Sequence, residues 1–136
     1  MKVGDTHYRS IWRDAATDAI RVIDQRWLPH EFRVVELDTL ADFATAIRDM
    51  WVRGAPLIGA TAAYGMARQM MRDPSDESLA TAYDVLHATR PTAINLRWAL
   101  DDQKARLTRL APADRAAVAL ARADAICEED VAVNRA

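Results

Sequence analysis

Two short segments of this chain carry residue types that can grip an anion. Arg53-Gly54-Ala55-Pro56 and Thr89-Arg90-Pro91-Thr92 each set a guanidinium beside the start of a helix expected from the sequence. Free amide hydrogens and the helix dipole gather positive potential at such a start. If the two starts converge, Arg53 and Arg90 can hold one phosphate through paired, charge-assisted hydrogen bonds. Residue types alone leave a second reading open, in which Gly54 and Pro91 merely punctuate helices and both arginines are solvated.

Other reactive groups are less well placed. Cys127 falls on the apolar stripe of an alanine-rich helix, and Glu128, Glu129 and Asp130 follow it. Their charge disfavours a thiolate, so Cys127 reads as a packing residue. His7, His30 and His87 are far apart and none has a ligand three or four residues on, so no helical metal pair is expected. The segment from Gly54 to Thr61 has the glycine spacing of a P-loop. Ala60, however, stands where the lysine is required, and Pro56 removes an amide donor. No G-x-G-x-x-G fingerprint for a dinucleotide occurs either. Asp24 can pair with Arg26 or cap a turn, whereas Asp101-Asp102 and Glu128-Glu129-Asp130 read as solvated helix faces. Trp12, Trp27, Trp51 and Trp98 read as core or interface residues.

The elements that must position these groups fall into two regions. In residues 1–38, the runs Tyr8–Trp12, Ala19–Ile23 and Phe32–Leu37 are rich in β-branched and aromatic residues, and polar breaks separate them. They predict a small antiparallel sheet. In the third run Phe32 and Val34 form a clearly apolar face, Arg33 and Val35 a mixed one, and helices must cover one side. From Thr39 the period becomes helical. Thr39 and Asp42 make a weak form of the capping box, and Leu40, Phe43, Ala44, Ile47, Met50 and Trp51 follow at helical spacing until Gly54. Pro56 can open a second helix, whose body from Leu57 to Met71 is apolar nearly all round and rich in glycine and alanine. Such a helix belongs at the centre. Asp73-Pro74-Ser75-Asp76 starts a third, a fourth runs from about Thr92 to Leu110, and Ala111-Pro112-Ala113-Asp114 starts a fifth. The fold class is α+β, a small amino-terminal antiparallel sheet followed by a mostly helical bundle of about five helices.

Composition narrows the function classes. At 136 residues the expectation is one domain, with a sheet region at 1–38 and a helical region at 39–136. A net charge of -2 gives no broad positive field, which argues against a nucleic-acid partner. One cysteine excludes an intramolecular disulfide and any cysteine-based zinc cluster. No signal-like or membrane-length apolar run is present, so the chain is expected to be soluble, off the membrane and cytoplasmic. The fifth helix runs toward Ala136 without a glycine or proline stop, which reads as a chain cut at a domain border.

Several segments, in order, resemble the amino-terminal domain of the methylthioribose-1-phosphate isomerase family. They are Ile23-Asp24-Gln25-Arg26 with Leu28-Pro29; the stretch from Ala46 to Gly59 containing Arg53-Gly54-Ala55-Pro56; Ala62-Ala63-Tyr64-Gly65; the stretch from Thr89 to Leu96; and Glu129 to Asn134. Ribose-1,5-bisphosphate isomerase and the translation initiation factor 2B regulatory subunits share parts of these segments. The resemblance implies isomerisation of an aldose, 5-methylthioribose 1-phosphate, to a ketose, 5-methylthioribulose 1-phosphate, in methionine salvage, without a cofactor and in a full-length homodimer. It also implies that Arg53, Gly54 and Ala55 contact substrate and that Arg90 holds its phosphate. The family's catalytic cysteine and aspartate lie in a larger carboxy-terminal Rossmann-like domain outside this sequence, and Cys127 does not match that cysteine. No catalytic residue is therefore expected here, and the chain alone is expected to be inactive. The open alternatives are a ribose-1,5-bisphosphate isomerase-like enzyme and a non-catalytic scaffold or interaction domain like the initiation-factor subunits.

Overall fold

A computed structural model describes residues 2–3, 6–7, 11–14, 19–23, 34–49 and 55–134. Two very short strands, β1 (Lys2–Val3) and β2 (Thr6–His7), pair antiparallel. The expected sheet follows as β3 (Ile11–Arg13), β4 (Ile20–Ile23) and β5 (Val34–Leu37), antiparallel in that order. Register places Ile11 opposite Val22 and Val35, and Arg13 opposite Ile20 and Leu37. Directly opposed residues share a face, so Ile11, Ile20, Val22, Val35 and Leu37 form the side turned to the core. One side is covered, as expected, and it is the mixed one of the third run: Val35 packs on the core, whereas Val34 is 43% exposed. Which side is buried is decided by what three strands present together. On the outer face Arg21 bridges Asp14 and Glu36.

Five helices follow, α1 (Leu40–Arg48), α2 (Ala55–Arg72), α3 (Asp76–Thr89), α4 (Ile94–Thr108) and α5 (Pro112–Asn134). The capping box at α1 forms as expected: Asp42 N–H donates to Thr39 Oγ1 and Thr39 N–H donates to Asp42 Oδ2, each at 3.1 Å. The helix closes at Arg48, short of the expected run to Trp51, with Asp49 as its carboxy-terminal cap. Ser75 caps α3 by accepting from Ser78 N–H. Helix α4 starts at Ile94 and not at Thr92, because the Pro91 ring pushes Arg90 out of helical geometry and a turn from Arg90 O to Ala93 N–H intervenes.

Helix α2 is central and packs against all four other helices. Its residues from Leu57 to Ala67 are buried, as their small, apolar character requires. At Gly65 an added Cβ would lie 3.1 Å from Phe43 Cβ and 3.2 Å from Leu86 Cδ1, so α1 and α3 approach this helix where it has no side chain. Buried polar groups join the layers. Gln103 on α4 donates to the Ala63 and Ala119 carbonyls, linking α2 to α5. Arg115, 3% exposed, ties α5 to the α4 end through Leu107 O and to the start of α3 through Pro74 O and Asp76. Arg13 and Tyr64 meet on Asp124, joining sheet, α2 and α5. Asp102 is no solvated face residue: Arg106 and Arg122 hold its carboxylate, whose side chain is 16% exposed. No helix among the described residues is long and apolar enough to cross a membrane.

Candidate anion-binding site

The end of α1, the start of α2, the end of α3 and the start of α4 meet at one pole of the bundle. Two contacts establish this. Arg90 Nε donates to the Ile47 carbonyl in the last turn of α1 at 3.1 Å. A Cβ added at Gly59, one turn into α2, would lie 3.0 Å from the Asn95 carbonyl oxygen in the first turn of α4. The condition set by the sequence, that the two helix starts converge, is met by the helices themselves.

Arg90 is the carboxy-terminal cap residue of α3 and is half-buried. Its Nε is committed to Ile47, whereas its two terminal nitrogens make no hydrogen bond or ion pair with any described residue. A planar fork anchored at one nitrogen and open at its far edge suits a planar or tetrahedral oxyanion. Beside it, Ala93 caps α4 without a side-chain hydrogen bond. The amides of Ile94, Asn95 and Leu96 thus begin a helix with no side-chain acceptor of their own, while Arg97 N–H already bonds Ala93 O. Helix α2 likewise has no acidic residue in its first turn. Neither helix start carries a carboxylate in its first turn, so cation and oriented amides accumulate there, while Asp49 at the end of α1 pairs with Arg48.

Ala55 is the first residue of α2. Arg53 and Gly54 lie outside the described residues, as do Asp24, His30, Trp27 and Trp51. Cys127 is 4% exposed, with its thiol 3.9 Å from the Ile11 carbonyl, which fits a packing role. His87 stacks on Tyr83 with ring centroids 5.8 Å apart. Trp98 is 50% exposed and lies under the Arg122 guanidinium, so it is not a core residue, contrary to one of the two roles expected of the tryptophans. Among the described residues no group of three histidine, cysteine, aspartate or glutamate side chains is gathered as a metal would require. Sequence reasoning missed Ile47, because a main-chain acceptor leaves no residue-type signal, and it read Gly59 only as one of several small residues.

No family model matches the chain. Methylthioribose-1-phosphate isomerase of Cereibacter sphaeroides is 64% identical over 99% of this chain and 36% of its own length. An uncharacterized protein of Rhodospirillum rubrum, from the petC 3' region, is 54% identical over all of this chain and 74% of itself. Among solved structures, 5-methylthioribose 1-phosphate isomerase from Pyrococcus horikoshii superposes with a TM-score of 0.81 at 34% identity, covering 90% of this chain and 36% of that one. The delta subunit of translation initiation factor eIF-2B from A. fulgidus gives 0.82 at 35% identity, covering 92% and 38%. The chain thus spans little more than a third of the isomerase relatives it matches.

Proposed function

We propose that the chain, which spans little more than a third of its methylthioribose-1-phosphate isomerase relatives, belongs to their family as its amino-terminal part and supplies the phosphate-holding portion of an aldose–ketose isomerase. The substrate is 5-methylthioribose 1-phosphate, the product is 5-methylthioribulose 1-phosphate, and no cofactor takes part. The observation that carries this reading is the Arg90 guanidinium, anchored through Nε and open at its two terminal nitrogens beside the uncapped start of α4. Arg90 holds the phosphate, and Arg53, Gly54 and Ala55, the residues that lead into α2 in sequence, complete the contact. A sugar phosphate dianion matches paired guanidiniums and oriented amides in charge and in shape.

Isomerisation also needs a group that moves a proton between the first two sugar carbons. By the family resemblance that group lies outside these residues. The 136-residue chain therefore binds sugar phosphate weakly and does not turn it over. A coupled assay on the purified chain should give no rate above background, and measurable turnover would overturn this point. A second reading, a scaffold that uses the same helices for protein contacts, is favoured by the likeness to the initiation-factor subunit. Calorimetric titration with the sugar phosphate separates the two, with Arg90→Ala as control. Heat that vanishes in the variant supports the isomerase part, and no heat in either supports the scaffold.

A further inference from the structure

We infer that Gly59 is a positioning residue that sets the distance between the α2 and α4 starts and so the width of the anion site; this rests on the reading of that pole as a phosphate site. Glycine is a poor helix former, and its place inside an alanine-rich helix calls for a physical reason. The close approach supplies one. A Cβ at position 59 would lie 3.0 Å from Asn95 O, 3.5 Å from Asn95 C and 3.6 Å from Asn95 Cβ. The nearest of these atoms are main chain, so they yield only if the start of α4 itself moves.

That movement reaches the site directly. Asn95 is the second residue of α4, and its amide belongs to the uncapped first turn. Arg90 precedes that turn and is joined to it through the Arg90 O to Ala93 N–H bond. Arg90 is also fixed to α1 through Ile47 O, so it does not follow α4 freely. An alanine at 59 makes the α4 start give by a few tenths of an ångström, which moves its amides relative to a guanidinium held on α1. Gly65 provides an internal comparison six residues further along the same helix. Its contacts are nearly as tight, but they fall on the Phe43 and Leu86 side chains, one turn before Ile47 and Arg90, so a Cβ there presses on the anchor of the guanidinium and not on the α4 start.

The test uses the 136-residue chain labelled with nitrogen-15 and titrated with inorganic phosphate, following the amides of Ile94, Asn95 and Leu96 and the Arg90 Nε–H. Gly59→Ala should raise the apparent Kd roughly five-fold, because displaced donors no longer reach one anion together. Leu107→Ala, buried in the last turn of α4, should lower the melting temperature yet leave Kd unchanged within about two-fold, since it alters packing at the opposite end of that helix. An unchanged Kd in Gly59→Ala, or an equal loss in Leu107→Ala, overturns the inference while leaving the phosphate site standing. A response that is absent, or that persists in Arg90→Ala, overturns the site itself and this inference with it. Wild-type protein gives a readout that needs no folded variant: phosphate should shift the Gly59 amide along with Asn95 while the Leu107 amide at the far end of α4 stays still, and a silent Gly59 counts against the coupling.

Discussion

Arg90 differs from most of its neighbours in what its nitrogens touch. Arg13, Arg21, Arg68, Arg72, Arg106, Arg115 and Arg122 all end on carboxylates, whereas Arg90 ends on a carbonyl and keeps its far edge open. A lysine at this position carries three donors on a single point and cannot span the Ile47 carbonyl and a phosphate in one plane. Arg90→Lys should therefore weaken phosphate binding about ten-fold, nearly as far as Arg90→Ala, although it keeps the charge. Affinity within two-fold of wild type in the lysine variant would mean that charge alone matters there. The sequence made Arg90 legible, since Pro91 marks the end of one helix and the approach to the next. It did not make the anchor legible, because Ile47 contributes a carbonyl that any residue would carry.

At the scale of elements, caps were the most readable feature, because a cap is a local event between residues three apart. Thr39 with Asp42, and Ser75 with Ser78, are written in consecutive positions, and both form. Thr39→Ala should cost about 1 kcal/mol. Asp42→Ala should cost a similar amount and the double variant little more, because the two side chains satisfy each other's amides. Chemical denaturation of the three variants tests this, and fully additive losses would show that the box does not act as a unit. The covered face of the sheet was less readable. One strand's sequence required only that one side be covered, and the register of three strands chose that of Val35 and Leu37. β1 and β2 span two residues each, too few to show a period of two. Asp102 looked like one of a pair of surface acids until the fold brought Arg122 from α5 against it, twenty positions away in sequence.

For the whole molecule, those long-range pairs set the pH range over which the fold is stable. Burial pushes the Asp102 carboxyl up, but hydrogen bonds from Arg122 and Arg106 outweigh it and leave the group below its ordinary value of 3.8. Hydrogen bonds from Arg68 and Arg72 hold Asp38 below the same value. A carboxylate depressed in the folded state adds stability that is complete above its ordinary pKa and fades as pH falls through the folded one. The acid limb of the stability profile should thus begin near 3.8 and steepen below it. Tyr64 sets the opposite limb. Burial first, and its hydrogen bond to Asp124 second, raise its phenol well above the ordinary 10.0. A raised group contributes stability that is complete below its ordinary pKa and fades as pH climbs past it. Asp102→Asn should lose about 2 kcal/mol at neutral pH, where two charge-assisted bonds are weakened, and its deficit should shrink below 3.8 as wild type loses the same bonds. Tyr64→Phe should lose about 1 kcal/mol at neutral pH and converge on wild type above pH 10, because a phenylalanine has no proton to surrender. Urea denaturation across the pH range reads both limbs. A constant Asp102→Asn deficit down to pH 2.5 would remove the acid limb from Asp102, and parallel alkaline curves would remove Tyr64 from the other, since linkage ties each slope to the proton its group gains or loses.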